Sequence, residues 1–292
     1  VDLTAIVTTM DSGGSSGRLR QEFNIPALGD IRRALAALAG DDALGSLYEY
    51  RFKGESHLHG HTLGNLTLLA LLLEHGDLEE AIDCLGKMMD IHGTVLPVTS
   101  DCVNLCALLK DGQTLIGEAS IDLRGHNPVG VERVYLSDPA KATDKAVSAL
   151  LEADAIVLGP GDLYTSVIPN FLVDGMTGAI QSSGAKRIFV GNLVTKPGET
   201  EGYKLSDFLK VVLQYTGLTD WLDTVIVDNG HDTSNPKAGE ELAAGNPLVV
   251  TDDEACRELV GQIMRRDVAM ADRPWLHDSA HAANAIMEAI NS

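Results

Sequence analysis

The chain is poor in positive charge: 22 Lys and Arg stand against 42 Asp and Glu in 292 residues, a formal net charge of −20. A surface of that sign repels DNA, RNA and anionic lipid unless basic residues cluster, so nucleic-acid binding is excluded as a function class. Cysteine is also sparse. Cys84, Cys102, Cys106 and Cys256 form no Cys-x-x-Cys pair, which points to reduced thiols in a cytoplasmic protein rather than a disulfide framework. No apolar run approaches the roughly 18 residues of a membrane span; the longest, Leu66 to Leu73, contains Thr67. No charged segment with an apolar stretch and small-residue cleavage site opens the chain, so no signal peptide is read at Val1. There is no Gly-Lys-Ser/Thr ending to a phosphate loop, no Gly-x-Ser-x-Gly elbow and no His-Glu-x-x-His, which removes support for Walker-type nucleotidase, serine-hydrolase and zinc-protease chemistry.

What is present is an ordinary soluble composition, 45% hydrophobic and 22% charged. Short β-branched runs alternate with amphipathic helical stretches. Strands are predicted at 3–9, 95–98, 106–109, 114–121, 131–136, 155–158, 187–190, 224–227 and 247–250. Helices are predicted at 31–38, 63–73, 78–89 with Asp77 as N-cap, 139–153, 205–215 and 279–290. Residues 11–17 and 232–245 read as loops, the second as a mobile one. Asp111-Gly112 between apolar runs predicts a hairpin. The pattern is α/β: a Rossmann-like, mostly parallel sheet with helices on both faces and a small inserted antiparallel β flap. The expected organisation is one domain over 1–292 with the β insertion at about 94–136.

In such sheets ligands bind at the carboxyl ends of strands, and three Gly-rich clusters follow predicted strands. The first is Asp11-Ser-Gly13-Gly14-Ser15-Ser16-Gly17-Arg18-Leu-Arg20. Its glycines let successive N–H groups face one anion, and Arg18 and Arg20 are suited to phosphate. The second is Gly159-Pro-Gly161-Asp-Leu-Tyr164-Thr165-Ser166, where a turn opens a helix whose free N–H groups attract anions. Tyr164 could stack on a base or sugar. The third is Gly191 to Thr200, in which Asn192 and Thr195 suit a ribose or base edge but also serve as ordinary turn formers. Gly29-Asp30-Ile-Arg32 and His61-Thr-Leu-Gly-Asn65 add further polar groups. His57, His59 and His61 alternate and would share one face of a strand, as a metal site requires; a solvated loop with one useful histidine is the plainer reading.

Taken in order, Asp11–Arg20, Gly29–Arg32, His61–Asn65, Leu96-Pro-Val-Thr99, Gly159–Ser166, Ile168-Pro-Asn170 and Thr195–Thr200 resemble the gluconeogenesis-factor family, relatives of 2-phospho-L-lactate transferase (YvcK/CofD-like proteins). The similarity runs to about Asn229 and, more weakly, through His277-Asp278. The resemblance implies a Rossmann-like fold that binds a UDP-sugar of the UDP-N-acetylglucosamine type. It also implies a regulatory role in cell shape and cell-wall homeostasis on gluconeogenic carbon sources, with no established catalysis. The alternative it carries is a phosphotransferase like 2-phospho-L-lactate transferase, which works with magnesium. It further implies a strand and a Gly-rich loop ahead of the position matching Val1, absent from this chain. Ser12 stands where the family commonly has a second Asp, which weakens a Mg²⁺ site there without closing the question. The expected binding set is Asp11, Gly13 to Gly17, Arg18, Arg20, Asp30, Arg32, Asn65, Gly159, Gly161, Tyr164, Thr165, Ser166, Asn192 and Thr195. The expected partners are the UDP-sugar, no nucleic acid and no membrane span, with homo-oligomerisation left open.

Overall fold

The structure, a computed structural model, describes residues 1–127, 129–217, 222–230 and 247–292. The loop predicted at 232–245 lies outside them. In chain order the elements begin with β1 (Thr4–Val7), α1 (Gly14–Phe23), α2 (Gly29–Ala37), α3 (Asp42–Glu49), α4 (Leu63–His75), α5 (Leu78–Met88) and β2 (Thr94–Pro97). Next come β3 (Leu105–Leu109), β4 (Thr114–Ile116), α6 (Glu118–Asp122), β5 (Val131–Leu136), α7 (Asp144–Glu152) and β6 (Ala155–Leu158). A π-helical turn (Leu163–Val167) then leads into α8 (Ile168–Phe171), followed by α9 (Met176–Ser182), β7 (Lys186–Val190), α10 (Leu205–Thr216) and β8 (Leu222–Asp228). A short helix (Asp253–Arg257), β9 (Val260–Arg266) and a C-terminal helix (Ser279–Asn291) complete the described chain.

Local chemistry explains several boundaries. Asp77 caps α5 by accepting from the Glu80 N–H at 2.9 Å, and Thr62 and Thr143 do the same for α4 and α7. Gly76 and Gly217 end α4 and α10 in the left-handed conformation.

The sheet is in two parallel parts. β1 pairs with β2, and β6-β7-β8-β9 form a four-stranded parallel sheet. Side-chain alternation explains its two covered faces. Ile188, Val190, Ile226 and Met264 pack under Ala285 and Ala289 of the C-terminal helix. Phe189, Val225 and Val227 face the opposite way, into the core built with Phe208 and Leu209 of α10. A separate core joins α1, α2, α4 and α5 around Leu28, Ile31, Leu68 and Leu85. Among the described residues β1 and β6 each pair on one side only, and both line the same cleft. The flap is the antiparallel sheet β4-β3-β5, so 94–97 belongs to the parallel strands rather than to the insertion.

Three further expectations need correction. Residues 247–250 are apolar but make only isolated bridges, Leu248 to Val194 and Val250 to Lys204. The last strand is β9, whose Gly-Gln-Ile-Met-Arg-Arg sequence lies at the sheet edge and so tolerates polar residues. The strand predicted at 114–121 stops at Ile116, where Gly117 takes φ +91 and starts α6. The loop predicted at 11–17 becomes helix α1 from Gly14 onward. Among the described residues no helix is long and apolar enough to cross a membrane.

Gly17 shows how tightly the first turn of α1 is packed: a Cβ there would lie 2.0 Å from the Ser12 carbonyl oxygen. Gly17→Ala should therefore cost about 2–3 kcal/mol in urea unfolding. Gly178, exposed in α9 with nothing within 4 Å of its would-be Cβ, provides the control, and Gly178→Ala should gain about 0.5–1 kcal/mol. Equal effects would contradict the packing described.

Candidate functional site

A cavity of about 2520 Å³ runs between β1 and β6, and its part over the carboxyl ends of β6 and β7 is the candidate site. The Gly159-Pro160-Gly161 turn after β6 forms one wall. Gly159 has φ +75 and sits close beneath the Val190 carbonyl, so a side chain would be strained there. The loop after β7 forms the next wall. Asn192 donates from Nδ2 to the Gly161 carbonyl at 2.8 Å, which ties the two turns together. Thr195 is anchored on the Pro247 carbonyl through both its N–H, at 2.8 Å, and its hydroxyl, at 3.2 Å. Asp30 and Arg33, paired at 2.9 Å, lie on the cleft wall contributed by α2.

The π-helical turn sorts the residues after Gly161. The Val167 N–H reaches back five residues to the Asp162 carbonyl at 3.0 Å. Ser166 lines the cleft. Tyr164 and Thr165 face inward: the Tyr164 hydroxyl bonds the Tyr203 hydroxyl at 2.8 Å, and Thr165 donates to Glu199 Oε1 at 3.4 Å. Tyr164 therefore packs in the core, 3% exposed, instead of offering a stacking face. Burial, then the Tyr203 hydrogen bond, raises its phenol well above the ordinary value.

The first cluster is also built from the backbone outward. Asp11 Oδ1 accepts from the Gly13 N–H at 2.7 Å, and Gly29 passes so close to Asp11 and Ser16 that a Cβ would lie 2.6 Å from an oxygen of each. Gly14 takes φ +47 as it enters α1. Ser15 is buried in a small polar group, 3.0 Å from His61 Nδ1 and 3.1 Å from the Asn65 amide nitrogen. The expected arginines are engaged elsewhere. Arg20 donates to the carbonyls of Met10, Asp11 and Val103. Arg18 donates to the His59 carbonyl at 2.7 Å, and Arg32 to Glu49 at 2.6 Å. None of the three lines the cleft. Of the alternating histidines, His61 is buried while His57 and His59 are exposed in a turn, so no shared face forms.

Helix α6 of the flap joins the three clusters. The Ser12 N–H donates to Glu118 at 3.4 Å, and the Ala119 N–H donates to the Ser12 hydroxyl at 2.9 Å. At the other end of α6, Asp122 pairs with Lys196, whose ammonium also meets Asp162 at 2.6 Å and Glu199 at 3.1 Å. Sequence reading had not singled out Glu118, Asp122, Asp162, Lys196 or Glu199. The one available signal was a Lys and a Glu flanking Pro197-Gly198 inside a post-strand cluster. Burial, opposed by Lys196, pushes the Glu199 carboxyl up to about 7. Burial and then Asp11 push that of Glu118 up to about 7. Burial, with Arg33 opposing, also raises Asp30. Lys196 is raised: burial acts against its charge but is outweighed by Glu199, Asp122 and Asp162.

The fold and cleft define an α/β protein of the class that takes ligands beyond the carboxyl ends of parallel strands. Residues 1–269 match the family described as 2-phospho-L-lactate transferase CofD, and the chain belongs to that family. A gluconeogenesis factor from Halalkalibacterium halodurans is 36% identical over 290 residues, 99% of this chain and 89% of that protein. One from Bacillus subtilis is 35% identical over 292 residues, covering 98% of this chain and 90% of that protein. A Nostoc relative is 41% identical over 273 residues, and the chain spans only 59% of that relative's length. A crystal structure of a Bacillus halodurans protein superposes with a TM-score of 0.91 at 35% identity, over 100% of this chain and 92% of that one. Another, of a UPF0052 family member from the same organism, gives 0.90 at 34% identity, over 98% of this chain and 91% of that one.

Glu118 carries a proton in the folded state between its ordinary value of 4.5 and about 7 that the unfolded chain has released. Its contribution to stability is therefore full at low pH and lost as pH rises through that window. Relative to the wild type, Glu118→Gln should be more stable near pH 8 than near pH 5 by about 1–2 kcal/mol. Thermal unfolding at the two pH values checks this, and a pH-independent difference would contradict it.

Proposed function

We propose that the protein binds a nucleoside-diphosphate sugar of the UDP-N-acetylglucosamine type in the cleft. On this reading it acts as a gluconeogenesis factor, a regulator supporting cell shape and wall synthesis on gluconeogenic carbon sources. One observation carries the reading: two Gly-bearing turns, 159–161 and 191–195, follow adjacent parallel strands, share the cleft and are joined through Asn192. Backbone N–H groups of such turns are suited to a diphosphate. Ser166 and the side-chain carbonyl of Asn192 supply neutral hydrogen-bonding groups of the kind that fix a ribose or sugar hydroxyl, with Thr195 holding their loop on Pro247. In this account Arg18, Arg20 and Arg32 shape the scaffold and do not grip phosphate.

A phosphotransferase is the second reading, favoured by the CofD family match and by the carboxylates near the cleft. Turnover of a nucleotide-linked phospholactate donor with a deazaflavin acceptor and Mg²⁺ would decide for it.

Titration calorimetry with UDP-N-acetylglucosamine tests the first reading. Saturable binding should weaken about tenfold in Asn192→Ala, the loss of one or two good hydrogen bonds. Arg18→Ala should stay within about twofold of the wild type, because its guanidinium is spent on His59. Absence of binding, or a larger loss in Arg18→Ala than in Asn192→Ala, would overturn it.

A further inference from the structure

The side chains of Asp122, Asp162 and Glu199 come from three separate segments: α6, the turn after β6 and the loop after β7. One oxygen of each lies within 4.8 Å of the others. Lys196 places its ammonium among them. An ordinary salt-bridge cluster would balance its charges and satisfy its atoms, and this one does neither. Three carboxylates surround a single ammonium, which leaves up to two negative charges in excess. The Glu199 side chain is fully buried, and its Oε2 has no hydrogen-bond partner among the described residues. An unpartnered carboxylate oxygen without solvent costs several times a neutral hydrogen bond, so it persists only where something else supplies the charge. The cluster is not sealed. Asp122 and Asp162 keep 29% and 43% of their side-chain surface exposed, and both line the cleft with Lys196.

We propose that Asp122, Asp162 and Glu199 form a site for a divalent, oxygen-seeking cation of the Mg²⁺ or Mn²⁺ class, with the Lys196 ammonium as its built-in competitor. The donor set suits such ions, which take carboxylate oxygens and keep several waters or ligand oxygens. Exchanging the ammonium for a dication lowers the excess from two negative charges to one and gives the orphaned Glu199 oxygen a partner. It also frees Lys196 beside the cleft. The three-carboxylate group does not include Asp11 or Asp30. It goes beyond the nucleotide-sugar reading and does not need it.

The test uses the full chain and Mn²⁺ alone, followed by electron paramagnetic resonance of free Mn²⁺ near pH 8. Wild-type protein should bind one ion saturably. Lys196→Met, which removes the competitor, should bind about tenfold or more tightly, and Lys196→Met with Glu199→Gln should lose most of that gain. Circular dichroism establishes that each variant is folded. If Lys196→Met does not fold, Glu199→Gln alone decides: it must weaken Mn²⁺ binding by about tenfold relative to the wild type. No saturable Mn²⁺ binding in wild type or in folded Lys196→Met overturns the proposal, as does binding that Glu199→Gln leaves unchanged. Loss of Mn²⁺ binding alongside intact UDP-N-acetylglucosamine binding would sink the metal site and leave the nucleotide-sugar reading standing.

Discussion

The ammonium of Lys196 is the contact on which the site's geometry depends. It draws Asp122 from the flap, Asp162 from the turn after β6 and Glu199 from its own loop to one point. Remove it, and three carboxylates are left facing one another at partly buried positions, where like charges repel strongly. The ammonium also couples the antiparallel flap to the parallel sheet. Arg124 bonding the Gly198 carbonyl at 2.7 Å and His126 beside Glu201 at 2.8 Å strengthen the same junction. Ionic contacts between loops shape the end of the cleft beside Lys196, while β1, β6 and the C-terminal helix line the rest with apolar side chains such as Ile6, Val157 and Ile286. Loops whose positions rest on such contacts are the elements a charged ligand can shift at modest cost.

The electrostatics of the cleft bear directly on what it can hold. Its wall carries Asp30, Asp122 and Asp162, with Arg33 and Lys196 as nearby cations. The arginines that composition alone would assign to phosphate are held by backbone carbonyls and Glu49. On the proposed reading, a diphosphate in this cleft would rely on backbone N–H groups and an accompanying cation rather than on guanidinium clamps. Neutral side chains such as Asn192 and Ser166 suit the uncharged parts of a nucleotide sugar.

Much of the frame was legible because buried parallel strands leave a plain mark. Ala155–Leu158, Arg187–Val190 and Thr224–Val227 are continuous apolar runs between helices, and each is a strand of the central sheet. The misreadings share a physical cause. β9 is an edge strand whose Arg265 and Arg266 reach partly exposed positions, so its sequence carries no apolar run. Residues 247–250 bond the backbone of Leu193 and Leu205 without forming a strand, and Val250 stays exposed. Helix α6 was hidden in a β-like run that a single Gly117 interrupts. For the site, the Gly-rich turns could be read from the sequence, since a positive φ demands glycine. The direction of a side chain could not. Arg18 and Arg20 donate to backbone carbonyls and do not line the cleft, and Tyr164 turns inward within a π-turn. The burial of Glu199 is a tertiary fact that a Pro-Gly-Glu-Thr string does not announce.

The central claim is that the turns after β6 and β7 jointly hold a nucleotide diphosphate beyond the carboxyl ends of those strands. A crystal structure of the protein soaked with UDP-N-acetylglucosamine tests it most directly. The account predicts ligand density between Gly159–Gly161 and Asn192–Thr195, with the diphosphate against backbone N–H groups. Density instead beside Arg20, Asn24 and Cys102, or outside the cleft altogether, would contradict it.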